Sequence, residues 1–210
     1  MMRIAGVILA GGLARRMGGG DKALLPVAGQ PLLGHVIARL RPQVSALALN
    51  ANGDAARFAA FGLPVLADTV PDFAGPLAGV LAGMRWAAAQ GASHVVSAAG
   101  DTPFFPDDLA RRLAAALGPC HRIAVAATQD PERGLSEHPT FGLWPVDLAD
   151  DLEAALRADM RKVIVWASRH GCARAVFDEA GAYPFFNVNT PEDLAEAERL
   201  ALGTGAEEGA

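Results

Sequence analysis

Cysteine is scarce in this chain. Cys120 and Cys172 are the only two, and their separation fits neither a metal knuckle nor a redox pair. A disulfide-stapled secreted scaffold is therefore excluded, and a reducing compartment is expected. The five histidines, His35, His94, His121, His138 and His170, are scattered without ligand spacing, so no histidine-held metal centre is expected. Excess positive charge is missing too. The formal net charge is −5, which offers no broad basic surface to a nucleic-acid backbone. No apolar run reaches the length of a membrane span, and the start of the chain, with Arg3 ahead of a short apolar stretch, lacks a signal-peptide cleavage region. These absences predict a cytoplasmic chain with neither membrane nor nucleic-acid partners. The Walker loop, the Gly-x-Gly-x-x-Gly dinucleotide fingerprint and the Gly-x-Ser-x-Gly elbow are all absent.

What remains is rich in core-forming residues. With 210 residues, 51% hydrophobic and 20% charged, the chain can bury a substantial core in one α/β domain. Apolar runs alternate with amphipathic segments, the pattern of a parallel sheet covered by helices. Strands are expected at 4–9, 46–49, 64–66, 93–99, 123–127, 139–143 and 173–177. Helices are expected at 31–40, 54–61, 77–89, 106–117, 147–157, 160–169 and from Thr190 to about residue 202. In the last, threonine stands at the cap, proline at the first helical position and acids in the first turn. One domain, 1–202, is expected, followed by a disordered acidic tail at 203–210.

The most informative stretch is Leu9-Ala-Gly-Gly-Leu-Ala-Arg-Arg-Met-Gly-Gly-Gly-Asp-Lys22, directly behind the first strand. Its glycines let backbone N–H groups approach a phosphate chain, and Arg15, Arg16 and Lys22 supply positive charge. The alternative, a flexible glycine loop with solvated basic residues, explains neither the strand placement nor the basic spacing. In an open parallel sheet, ligands sit at the carboxyl ends of the strands, so the polar residues that follow strands should converge: the glycine loop, Asn50, Asn52, Asp68 and Asp101. In Val95-Val-Ser-Ala-Ala-Gly-Asp-Thr-Pro103, Asp101 follows the end of a buried strand, where it suits a magnesium anchor for a nucleoside triphosphate or, alternatively, a turn cap. The small Gly100 before it leaves room for a ligand. Gly75-Pro-Leu-Ala-Gly79 is either a tight turn into a helix or a place where a base or ribose approaches backbone. Asn187 and Asn189, two apart, face one side of an extended segment. They suit hydrogen bonding to a polar heterocycle such as a pterin, or a helix-entry turn. Arg161 and Lys162 are read either as binding an acceptor phosphate or as a solvated helix face.

The glycine run resembles the nucleotidyltransferase signature Leu-Ala-Gly-Gly-x-x-x-Arg-Met-Gly-x-x-Lys, with one extra residue before Lys22. Together with Glu137-His-Pro-Thr-Phe141 and Phe186-Asn-Val-Asn-Thr-Pro-Glu-Asp-Leu194, it makes the chain similar to the molybdenum cofactor guanylyltransferases over nearly its whole length. The resemblance implies a Rossmann-like, open, mostly parallel sheet sandwiched by helices, of the nucleotide-diphospho-sugar transferase type. It implies transfer of GMP from GTP to the terminal phosphate of molybdopterin-bound molybdenum cofactor, releasing pyrophosphate, with Mg2+ on Asp101. It further implies nucleotide contacts at Leu9, Ala10, Gly11, Gly12, Lys22, Asn50, Asp68, Gly75 and Asp101, catalytic roles for Lys22, Arg16 and Asp101, and acceptor contacts at Arg161, Asn187 and Asn189. Transient contact with cofactor-synthesis proteins and acceptor molybdoenzymes follows from the same likeness. The rival readings are a cytidylyltransferase acting on the same cofactor, a sugar-phosphate nucleotidyltransferase, and a nucleotide-sensing protein that keeps the fold without turnover.

Overall fold

The structure is a computed structural model and describes residues 2–11, 21–70, 75–130, 134–177 and 184–203. The chain opens with β1 (Ile4–Leu9), buried along almost its whole length. A small hairpin follows, β2 (Pro26–Val27) and β3 (Gln30–Pro31), then α1 (Leu32–Leu40). Next come β4 (Leu47–Asn50), a 3-10 helix (Ala55–Phe61), β5 (Val65–Leu66), α2 (Pro76–Ala89) and β6 (His94–Ala99). The second half contains α3 (Leu109–Ala116), β7 (Ile123–Asp130), β8 (Gly134–Pro145), α4 (Ala149–Arg157), α5 (Val163–Ser168), β9 (Cys172–Val176) and α6 (Pro191–Gly203).

The main sheet has the order β5-β4-β1-β6-β8-β7-β9. Both faces are buried, which is why its inner strands read as continuous apolar runs rather than alternating ones. Ala5, Val7, Val95 and Val125 turn toward α2, α4 and α5, where Trp144 and Trp166 also pack. Ile8, Val96, Ala98 and Ala124 turn toward α1, α3 and the Phe105–Phe141 ring pair. A third, small cluster joins Val27 and Leu32 to Val188 and Ala197. It docks α6 and the segment before it onto the hairpin that follows Lys22.

Several elements differ from the sequence reading. β8 runs antiparallel to both β6 and β7 and covers twelve residues rather than the expected five at 139–143. Its first half, with Ser136, Glu137 and His138, is polar because it projects past β6 and pairs only with β7, so it has no burial signal to reveal it. The stretch at 54–61 is a 3-10 helix capped by Asp54, whose carboxylate accepts the Ala56 N–H at 2.9 Å. The helix expected at 160–169 is only Val163–Ser168. Asp159, at φ +63, breaks the chain after α4, so Arg161 and Lys162 precede α5 instead of lying along its face. The helix expected at 106–117 begins at Leu109. At α6 the cap is as expected and reciprocal: Thr190 Oγ1 accepts the Asp193 N–H at 3.2 Å, and the Asp193 carboxylate accepts the Thr190 N–H at 2.9 Å. Of the tail expected at 203–210, Gly203 closes α6 instead, and 204–210 lie outside the described residues.

Candidate active site

The strands that run parallel end along one edge, and the polar residues that follow them do converge there. Backbone bonds carry the ladder past the strand ends: Ala10 N–H donates to Asn50 O at 2.8 Å, Ala51 N–H to Leu66 O at 3.0 Å, and Gly100 N–H to Leu9 O at 3.0 Å. This fixes Leu9, Ala10, Gly11, Asn50, Asp68 and Asp101 around a single edge.

Two polar clusters occupy it. In the first, the buried Asn50 donates through Nδ2 to Asp68 Oδ1 at 2.9 Å and to Leu66 O at 3.1 Å. Asn52 donates to Asp68 Oδ2 at 2.8 Å and accepts the Asp68 N–H at 2.9 Å. Each Asp68 oxygen keeps acceptor capacity, since a carboxylate offers about four lone-pair sites. In the second, Lys22 Nζ donates to Asp101 Oδ2 and to Asn189 Oδ1, both at 2.5 Å. Lys22 is 10% exposed and Asp101 27%, so the ammonium is held by two acceptors in a partly buried setting and has a third N–H to offer. Thr102 Oγ1 donates toward Asn187 Oδ1, with Asp101 Oδ1 also within 3.2 Å. The Val188 N–H donates to Asp101 O at 3.0 Å. The segment 187–189 is thus strapped across 101–102.

The asparagines therefore stand beside Lys22 and Asp101 rather than apart from them. An aromatic group supports the strap: Phe185 stacks on His138 at 4.4 Å and meets Phe141 at 4.8 Å and Phe177 at 5.4 Å. Burial pushes the His138 imidazole below its ordinary pKa, and Thr128 Oγ1 lies 2.9 Å from its Nε2. Arg161 forms an ion pair with Asp159 at 2.8 Å. It lies in the connection between α4 and α5, and its contact with Asp159 joins it to neither polar cluster.

Two glycines have a purpose other than the expected one. A Cβ on Gly100 would meet Leu9 O at 3.1 Å and Ala10 Cα at 3.2 Å, so its small size admits the end of β1 instead of leaving room for a ligand. A Cβ on Gly79 would sit 2.2 Å from Asn50 Oδ1 and 2.7 Å from Leu9 Cδ2. The space at Gly79 is filled by Asn50, not open to a base or ribose. Gly75 caps α2 with φ +157, a conformation that favours glycine. Gly12 and Arg16 lie outside the described residues. Thr102 carries a usable sequence signal in its place directly after Asp101, whereas nothing in the local pattern distinguishes Arg57.

Polar groups and a lysine–aspartate pair at the carboxyl edge of a largely parallel sheet define a nucleotide-handling α/β protein. Comparison with known proteins narrows the class. The MobA-like NTP transferase domain matches residues 6–173. The molybdenum cofactor guanylyltransferase of Cereibacter sphaeroides is 56% identical over 200 residues, covering 95% of this chain and 97% of that protein. The one from Bradyrhizobium sp. is 53% identical over 202 residues, covering 94% and 93%. The crystal structure of molybdopterin-guanine dinucleotide biosynthesis protein A from Archaeoglobus fulgidus shares the fold, with a TM-score of 0.75 at 22% identity over 95% of this chain and 99% of that one. The chain belongs to the molybdenum cofactor guanylyltransferase family of MobA-like nucleotidyltransferases. Among the described residues, no helix is long and apolar enough to cross a membrane.

Proposed function

We propose that this chain transfers GMP from GTP to molybdopterin-bound molybdenum cofactor, forming the guanine dinucleotide form and releasing pyrophosphate. The observation that carries the reading is the pairing of Lys22 with Asp101 at the edge that also presents Asn50 and Asp68. A terminal phosphate oxygen of the acceptor attacks the α-phosphorus of GTP, and the bond to the bridging oxygen of the β-phosphate breaks. The attacking oxygen is already anionic, so no general base is required. The residues are left with positioning and charge neutralisation.

Asp68, with acceptor capacity to spare beside Asn50, suits the N–H donors on N1 and N2 of guanine. Leu9, Ala10, Gly11, Gly12 and Gly75 offer backbone to the nucleotide, and Arg16 and Lys22 take the phosphate charge. Among the described residues no three carboxylate, histidine or cysteine side chains gather for a metal. The half-buried Asp101 carboxylate at the strand edge fits an ion that uses one protein carboxylate together with phosphate oxygens and water, as Mg2+ does. When bound, that ion supplies further neutralisation of the triphosphate. Asn187, Asn189 and Arg161 face the acceptor, the amides toward its pterin and the guanidinium toward its phosphate. The reading carries with it a cytoplasmic setting, transient contact with cofactor-synthesis proteins and receiving molybdoenzymes, and a single working domain over residues 1–202.

A thermal-shift panel tests the nucleotide half, because a ligand stabilises the fold it binds. GTP with Mg2+ is expected to raise Tm more than CTP, ATP or UTP at equal concentration. A larger shift with CTP would replace the guanylyl assignment with a cytidylyl one.

A further inference from the structure

Arg57 has no part in the roles above, yet it joins Asn52 of the first cluster to Asp21, the residue before Lys22 of the second. It stands in the 3-10 helix after Asn52-Gly-Asp54, its guanidinium 4.6 Å from the centre of the Phe58 ring. Nη2 donates to Asn52 O at 2.6 Å, and Nη1 donates to Asp54 O. Gly53, between the two residues whose carbonyls Arg57 holds, is at φ +83. On the other side, Nε lies 2.7 Å from Asp21 Oδ2. That N–H points off the line to the oxygen, so the contact is ionic rather than an aligned hydrogen bond. The two side chains are 24% and 17% exposed, where salt screens a charge pair less than on the open surface.

The position of Asp21 gives the pair its meaning. Asp21 is the residue before Lys22, while the Asn52 whose carbonyl Arg57 holds grips Asp68 through two hydrogen bonds of its side chain. An unbroken line of contacts therefore runs from Lys22 through Asp21, Arg57, Asn52 and Asp68 to Asn50. Arginine suits the junction because its planar fork serves two carbonyls at fixed angles while its delocalised charge faces the Asp21 carboxylate, which the single ammonium of lysine does not do.

We infer that Arg57 is a positioning residue that links seating of the base-reading loop at 50–54 to placement of Lys22. Correct occupation of the base cluster is then felt at the phosphate end without Arg57 touching substrate. This rests on the nucleotidyltransferase reading above, and the test separates the two.

The full chain is prepared as wild type, Arg57→Met, Arg57→Lys, Asp21→Asn, Asp68→Asn and the doubles Arg57→Met/Asp21→Asn and Arg57→Met/Asp68→Asn. GTP affinity is measured by calorimetry, kcat by pyrophosphate release at a temperature where every variant is folded. Arg57→Met and Asp21→Asn are each expected to lower kcat about 10- to 100-fold, the scale set by small misplacement of a charge-stabilising group. Their double should be no worse than either single. Arg57→Lys, which keeps the charge and loses the fork, should recover part of the loss. Asp68→Asn should lower both kcat and GTP affinity in the wild-type background, and affinity alone once Arg57 is Met, the non-additivity of coupled residues. A merely structural Arg57 would lower Tm with kcat of the folded enzyme unchanged, or show additive effects with Asp68→Asn. Either result overturns the inference and spares the functional reading. A wild-type chain that neither binds GTP nor releases pyrophosphate overturns both.

Discussion

Gly79→Ala is the sharpest probe of how this fold builds the Asn50–Asp68 cluster proposed to read the base. The added methyl would sit 2.2 Å from Asn50 Oδ1 and 2.7 Å from Leu9 Cδ2, far inside contact distance. Asn50 has no room to retreat, since it is buried and bonded to Asp68 and Leu66. Overpacking of this kind costs about 1–3 kcal/mol, and losing a hydrogen bond to a carboxylate costs roughly 1.5–3 kcal/mol more. Replacing glycine inside a helix returns about 1 kcal/mol. The balance is a loss of roughly 1.5–5 kcal/mol, which in a domain of this size lowers Tm by about 3–20 °C. GTP affinity should fall about 5- to 150-fold as Asn50 and Asp68 lose their alignment.

Gly83→Ala is the control. Its Cβ would lie 2.6 Å from Val7 Cγ1, a core clash one turn along the same helix and away from Asn50. It should lower Tm while leaving GTP affinity near wild type. Combining Gly79→Ala with Asn50→Ala removes the worst clash, so part of the Tm returns while GTP affinity stays low. Differential scanning fluorimetry and calorimetric GTP titration read both quantities. Wild-type Tm and affinity in Gly79→Ala, or recovered affinity in the double variant, would refute the packing argument.

Asp101→Ala should leave the fold intact and reduce magnesium-dependent turnover on the order of 10²-fold or more, read as GMP transfer across a magnesium titration; near-normal turnover would move the metal elsewhere. Asn187→Ala and Asn189→Ala, alone or with Arg161→Ala, should weaken molybdopterin binding about 5- to 150-fold in separate titrations of acceptor and GTP. Asn189→Ala should also shift GTP affinity, because its Oδ1 accepts from Lys22, whereas Asn187→Ala should leave it close to wild type. Burial lowers the His138 pKa from its ordinary 6.5, so the unfolded chain takes up more protons in mild acid. Stability that is full above about pH 6.5 should therefore decline as pH falls through and below that value. Urea unfolding at pH 7.5 and 5.5 checks the sign, and His138→Phe, which keeps a ring against Phe185, should lose part of the acid dependence.

The sequence by itself determined what short-range pattern can specify. Apolar runs located β1, β4, β6 and the inner part of β7 because their residues are buried on both faces of the sheet. Thr190, Pro191 and Asp193 placed the start of α6 because a cap is a contact within a few residues. Polar residues at strand ends pointed to Asn50, Asp68 and Asp101, since parallel strands deliver their carboxyl ends to one edge. Tertiary structure alone decided the rest. The polar half of β8 could not be read because its partner is β7 and not a core. The purposes of Gly79 and Gly100 depended on which atoms face them from other elements. Asp21 meets Arg57 across the intervening hairpin and α1. Lys22 meets Asp101 across 79 positions and Asn189 across 167, contacts with no local periodicity to announce them, made because α6 docks its preceding strap on the hairpin beside Lys22.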